Sequence, residues 1–176
     1  MAVAPVIRWW PRAGLLACAL LLGCTPTRPT PAPLVFVIVR HAEKASDDPR
    51  DPTLSAAGRA RAQRLADSLA ARRLAAVYAT GYRRTRETAA ATAAAHGLAV
   101  ASYDAGQDAG TFAAELRQRH ASGTVLVVGH SNTVPAIAAA LCGCTVAALG
   151  EDEFDRRLTV RFDHGGPATL TDVRVP

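Results

Sequence analysis

Apolar positions along this chain follow two periods in turn. Residues 33–39, PLVFVIV, form an unbroken β-branched and aliphatic run, the mark of a strand covered on both faces. Residues 54–74, LSAAGRARAQRLADSLAARRL, switch to a helical period: Leu54, Ala62, Leu65 and Leu69 share one stripe, arginines fill the others, and Ser55 is placed to cap. The alternation then repeats. A short strand over 75–79 precedes an alanine-rich helix over 83–96, closed by Gly97. A strand over 98–103 leads to a helix over 111–121, and a strand over 124–128 to a helix near 133–141. Segments 157–162 and 168–175 read as a closing hairpin or two edge strands. Strands alternating with helices predict an α/β fold: a three-layer sandwich with a mainly parallel sheet and helices on both faces.

The first 33 residues stand outside this pattern. Arg8 and Arg12 flank a short basic region that precedes an uncharged apolar stretch, AGLLACALLLG at 13–23, too short to span a membrane comfortably and of the right length for a secretory signal. It ends in LLGC, which resembles the lipobox of bacterial lipoprotein precursors. That resemblance makes 1–23 a lipoprotein signal peptide and Cys24 the lipidated first residue of the mature chain. Residues 24–33 carry four prolines and no hydrophobic period, and they read as an extended tether. The domain is then 34–176, about 143 residues, enough for one core. The implied location is the cell envelope, with the membrane reached through the lipid anchor.

Charge and composition narrow the partners. The formal charge of +5 includes Arg8 and Arg12; without them 18 basic residues face 15 acidic ones, a net of +3. With 5% aromatic residues and no basic–aromatic stripe, nothing points to nucleic acid. Besides Cys24, the thiols of the mature chain are Cys142 and Cys144, separated by one glycine; a disulfide there is possible but strained, and two cysteines alone make no zinc site.

Candidate chemistry gathers where strands end. Strand 34–39 delivers Arg40 and His41, strand 75–79 delivers Arg83, Arg84 and Arg86 at the start of a helix, and strand 124–128 delivers Gly129 and His130. Carboxyl ends of parallel strands share one rim, so two histidines and at least two arginines converge. Cations at a helix N-terminus oppose its dipole by a few tenths of a kcal/mol each, an opposition that an anion bound there would remove. Arg83 and Arg86 read as a solvated face, Arg84 as part of a site.

The motifs VRHAEK, then TGYRRTRETA, then VVGHSN, in that order, resemble the histidine phosphatase superfamily, the phosphoglycerate mutase-like proteins. The resemblance spans about residues 34–141. It implies that His41 is a nucleophile forming a phosphohistidine, that Arg40 and Arg84 bind the phosphoryl oxygens, and that His130 completes the pocket, with no metal and no cofactor. Two departures stand out. Ala42 replaces the glycine of the usual first motif. The family's proton donor is also missing from its usual places: Ser131 follows the second histidine where one branch has aspartate. Asp104, at the end of the third strand, is the best-placed acid, with Asp108 close by. Glu43, next to the nucleophile, is a weaker candidate for the substrate pocket.

A metal-independent phosphatase acting on small phosphorylated substrates or a phosphorylated envelope component is the reading that follows. A mutase needs a substantial lid to keep water from its phosphoenzyme, and the connections here are short. Two rivals remain: a phospho-ligand-binding lipoprotein of the same fold with little turnover, and a serine esterase using Ser131, with Asp152, Asp155 and His164 downstream. The esterase elbow wants glycine where this chain has Thr133. Segment 150–160, GEDEFDRRLTV, is expected at the pocket mouth or a strand edge.

Overall fold

The computed structural model describes residues 1–2, 32–163 and 166–175. The signal segment, Cys24, most of the tether and His164 therefore lie outside the described residues. Within them the chain forms β1 (Leu34–Arg40), α1 (Ala56–Leu69), β2 (Leu74–Thr80), α2 (Arg83–Ala95), β3 (Val100–Tyr103), α3 (Ala109–Arg119), β4 (Gly123–Gly129), α4 (Thr133–Cys142), β5 (Arg156–Phe162) and β6 (Thr169–Arg174). The six strands make one sheet in the order β3-β2-β4-β1-β5-β6. The four strands β3, β2, β4 and β1 run parallel, and β5 joins β1 antiparallel before turning into β6. The α/β sandwich with a mainly parallel sheet is thus the observed architecture, and the closing segments are the expected hairpin.

The unbroken apolar run of β1 has a direct cause. Phe36 and Ile38 face one side of the sheet, packing with Phe112 and Leu116 of α3 and Val134, Ile137 and Leu141 of α4. Val35, Val37 and Val39 face the other, against Leu69 of α1 and Ala89 and Ala93 of α2. Both faces of the strand are covered, so neither can be polar.

α1 ends earlier than its sequence period suggests. Ser55 caps it as expected, accepting from the Gly58 amide at 3.0 Å. The helix stops at Leu69, a turn over 70–73 follows, and Leu74 is already in β2. Leu54 lies before the helix, 1% exposed, in a short antiparallel bridge with Lys44. Gly58 is required by close approach: a β-carbon there would stand 2.2 Å from the Glu43 carbonyl oxygen. This contact locks the start of α1 onto the loop that follows β1.

Cys142 and Cys144 are joined in a disulfide. Gly143 between them adopts the left-handed conformation (φ 63°) as the C-cap of α4, which is what lets a bridge close across a single residue.

Candidate active site

The register of the sheet creates the site. Arg40, the last residue of β1, pairs with Gly129, the last of β4, and the His41 amide donates to the Gly129 carbonyl at 2.9 Å. His41 and His130 therefore leave adjacent strands side by side, their ring centroids 5.5 Å apart. Gly129 admits no larger residue, because a β-carbon would lie 2.6 Å from the Thr133 hydroxyl and 2.7 Å from that of Tyr103. The Thr133 hydroxyl in turn accepts from the His130 amide at 2.9 Å, fixing the chain where it turns into α4.

His41 is 4% exposed, and its Nδ1 lies 2.8 Å from the Ala42 carbonyl oxygen. A carbonyl only accepts, so Nδ1 carries the proton and the Nε2 lone pair is free. Burial, aided by Arg84, Arg40 and His130 and opposed by the Ala42 hydrogen bond, lowers the His41 pKa to about 4. Ala42 is itself fixed: its amide donates to Thr88 Oγ1 at 3.0 Å, and its methyl group is fully buried with Leu54 and Ala62. An alanine at this position thus has a pocket of its own.

His130 is held by a threonine relay. The single hydroxyl proton of Thr85 goes to a carbonyl, that of Tyr82 at 2.7 Å or Thr80 at 3.0 Å. Thr80 then donates to Thr85 at 2.8 Å and must accept from His130 Nε2 at 2.9 Å. Burial, followed by Arg84 and Arg40, lowers the His130 pKa to about 4.

Arg40 is 6% exposed. One terminal nitrogen donates to the carbonyls of Gly150 and Glu151 at 2.9 and 2.6 Å, and the other reaches the Glu151 carboxylate at 3.4 Å. Its guanidinium carbon lies 4.3 Å from the Phe154 ring centre. Its buried Nε–H has no hydrogen-bond partner among the described residues. Arg84 lies over the Tyr82 ring at 4.5 Å and 3.7 Å from Asp51. The helix N-terminus that seemed to need an anion has one: the Asp51 carboxylate accepts from the Arg83 amide at 2.9 Å.

Arg40, His41, Arg84 and His130 line one recess of about 330 Å³, together with Lys44, Tyr82, Ser131 and Glu151. Asp104 does not line it. Its carboxylate accepts from the Gly106 amide at 2.9 Å and borders the adjoining recess, because the loop turns it away at the end of β3. Asp108 is the cap of α3, accepting from the Thr111 amide at 2.8 Å. Glu43 is also turned aside, gripped by Arg61 of α1 at 2.8–3.1 Å, and that hydrogen bonding holds its carboxyl below its ordinary range. Ser131 does not cap α4; its hydroxyl donates to Glu151 at 3.1 Å. His120 is half-buried and bonded to the Tyr78 hydroxyl at 2.9 Å. Lys44 and Glu151 are the charged lining residues that motif reasoning passed over. Lys44 could have been found in RHAEK, but nothing in the sequence singles out Glu151 from its acidic neighbours. Among the described residues, no cluster of histidine, cysteine or carboxylate side chains is arranged to hold a metal ion.

A sequence model of the histidine phosphatase superfamily (branch 1) matches residues 36–107, which hold β1, α1, β2, α2 and β3 with Arg40, His41 and Arg84. Over that stretch, 72 of its 176 residues, the chain is similar to the histidine phosphatase superfamily. Among solved structures it is similar to the protein histidine phosphatase SixA complexed with tungstate, at 21% identity and a TM-score of 0.62, covering 80% of this chain and 96% of that one. It is also similar to a phosphoserine phosphatase in complex with 3-phosphoglyceric acid from Entamoeba histolytica, at 13% identity and TM-score 0.60, with 81% and 98% covered. A mycobacterial glucosyl-3-phosphoglycerate phosphatase gives 18% identity and TM-score 0.55, with 82% and 99% covered. At these identities the likeness establishes the phosphoglycerate mutase-like fold. A search of the curated proteins returns no match to this sequence.

Proposed function

We propose that this protein is a member of the histidine phosphatase superfamily and hydrolyses small phosphomonoesters through a phosphohistidine on His41 Nε2. One observation carries the reading: a buried, neutral His41 with its Nε2 lone pair free shares a recess with an arginine whose buried Nε–H lacks a partner. A buried donor left unpaired costs about 1–3 kcal/mol, a penalty that a phosphoryl oxygen on Arg40 would remove. In this mechanism the Nε2 lone pair forms the N–P bond while the bond from phosphorus to the leaving oxygen breaks. Its electron pair departs with that oxygen. Arg40 and Arg84 balance the charge on the remaining phosphoryl oxygens, with Lys44 at the rim. Water then attacks phosphorus, the P–N bond electrons return to Nε2, and inorganic phosphate leaves.

The phosphatases among the structural neighbours support the same reaction class, and the motif combination supports the residue roles. The serine esterase alternative loses ground on geometry: Ser131 gives its proton to a carboxylate, not to an imidazole. The lipobox-like LLGC extends the proposal to a lipid-anchored enzyme of the cell envelope, tethered through Cys24.

The test is phosphate release from p-nitrophenyl phosphate by the full chain in detergent with chelator present. We expect turnover that falls at least roughly 1,000-fold in His41→Ala, the scale of losing a covalent nucleophile. Phosphate binding without release in the parent would favour a phospho-ligand-binding lipoprotein, and equal release by both proteins would remove His41 as nucleophile.

A further inference from the structure

The recess contains one carboxylate among its lining residues, Glu151, contributed by the segment that joins α4 to β5. Its two oxygens are held differently. Oε1 accepts from the Ser131 hydroxyl at 3.1 Å, and Oε2 stands 3.4 Å from Arg40. The side chain is 83% exposed. Arg40 does not depend on it for position, because the backbone carbonyls of Gly150 and Glu151 already hold the guanidinium at 2.9 and 2.6 Å.

These contacts describe a carboxylate that an incoming anion can displace without losing it. The nitrogen it touches on Arg40 and the unpartnered Nε of the same guanidinium lie on one edge, the edge that offers a side-on fork to an oxyanion. A phosphoryl group on that fork evicts Oε2, while Ser131 still tethers Oε1 at the mouth of the recess. The exchange takes the carboxyl off its cation and leaves it at the mouth of the recess.

We infer that Glu151, tethered by Ser131, is the proton donor to the leaving group, an inference that rests on the phosphatase reading above. As the P–O bond breaks and its electron pair moves to the leaving oxygen, Glu151 gives that oxygen its proton; the alcohol departs and Glu151 becomes a carboxylate. When water attacks the phosphohistidine, the carboxylate takes the water's proton, the P–N electron pair returns to His41, and the acid is restored. Asp104 and Glu43 have no part in this, since one borders a different recess and the other is bound to Arg61.

Leaving-group chemistry separates this role from a structural one. A p-nitrophenolate leaves without help, whereas an alkoxide needs a proton. The experiment compares kcat/KM, which counts steps only through leaving-group departure, on glycerol 3-phosphate and p-nitrophenyl phosphate. It uses the full chain, E151Q and S131A. Gln keeps the size of the side chain and the bond from Ser131 but cannot donate as an acid. General acid catalysis is worth roughly 100- to 10,000-fold, so the alkyl-to-aryl ratio should fall at least about 100-fold in E151Q. In S131A, which only loosens the tether, it should fall by about 10-fold. An unchanged ratio in E151Q, whatever happens to the absolute rates, overturns the inference and leaves the phosphatase reading standing. A parent active only on the aryl ester overturns it too. A parent with no turnover on either ester, or one matched by His41→Ala, overturns the phosphatase reading itself.

Discussion

Arg40 and Arg156 are both nearly buried, 6% and 9% exposed, and both grip the segment between α4 and β5. Arg40 donates to the carbonyls of residues 150 and 151, and Arg156 to those of Ala147 and Ala148 at 3.0 Å each. The remaining edge of each guanidinium is where they part. Arg156 spends it on Asp172 of β6 in a bidentate pair at 2.6–3.1 Å, so all three of its nitrogens are bonded. Among the described residues, Arg40 leaves Nε without a partner and meets the Glu151 carboxylate only at 3.4 Å. One arginine is complete as a piece of architecture; the other is complete only with an anion bound. A buried donor left open against the usual rule of satisfaction is the mark that separates the site from the scaffold here.

Removing each arginine should break the comparison in opposite directions. Arg40→Met should cost roughly 100- to 1,000-fold in turnover, the scale for losing a preorganised charge donor, and should lose less stability than Arg156→Met because it frees two carbonyls but breaks no bidentate carboxylate pair. Arg156→Met should do the reverse. It strips two carbonyls and a carboxylate of their donor, and a loss of roughly 2–3 kcal/mol is expected from hydrogen bonds to a charged group. Its turnover at saturating substrate should stay within a few-fold of the parent. Paired kinetics and urea unfolding read both effects. If Arg156→Met abolished turnover without unfolding, the division of labour drawn here would be wrong.

Much of this site was legible from sequence because strands dictate it locally. A fully apolar run must be a central strand, its last residue must reach the carboxyl rim, and so Arg40–His41 and Gly129–His130 must meet. Elements that depend on distant partners were not legible. Glu43 follows His41 by two residues, yet Arg61 of α1 draws it away. Arg84 sits at a helix start that seemed to await a ligand, yet Asp51, 32 residues before Arg83, supplies an anion to that helix. Asp104 ends the right strand but its carboxylate turns toward Gly106. Glu151 lies on a loop with no period at all, where only the fold decides which of several acidic residues faces the recess.

The histidines sharpen the contrast further: His41 is buried and His130 half-buried, both beside the open edge of Arg40. Both have pKa values lowered to about 4 by burial, against about 6.5 in an unfolded chain. Between those values the unfolded chain binds more protons than the folded one. Stability is therefore full above pH 6.5 and is lost as pH falls toward 4. Each histidine contributes at most one proton to the slope, about 1.4 kcal/mol per pH unit. His130→Asn should make the dependence of unfolding free energy on pH shallower by up to that amount in the window from 6.5 to 4. Parallel slopes in parent and variant would mean that His130 is protonated in the fold and that the threonine relay does not set its tautomer.

The smallest effect is expected where the segment is also held covalently. The Cys142–Cys144 bridge closes only a three-residue loop at the C-cap of α4. On a chain-entropy argument such a short loop is worth about 1–2 kcal/mol, near the bottom of the range for disulfides. The bonds of Arg156 to residues 147 and 148 lie between the bridge and the recess, so a disturbance at Cys144 should be absorbed before it reaches Gly150 and Glu151. A Cys142→Ser/Cys144→Ser variant should lose no more than that stability and keep the parent's turnover. Loss of turnover in the double variant, in which Arg156 is intact, would transfer the anchoring role from the arginine to the disulfide. It would make the position of Arg40 sensitive to oxidation, which the satisfied geometry of Arg156 argues against.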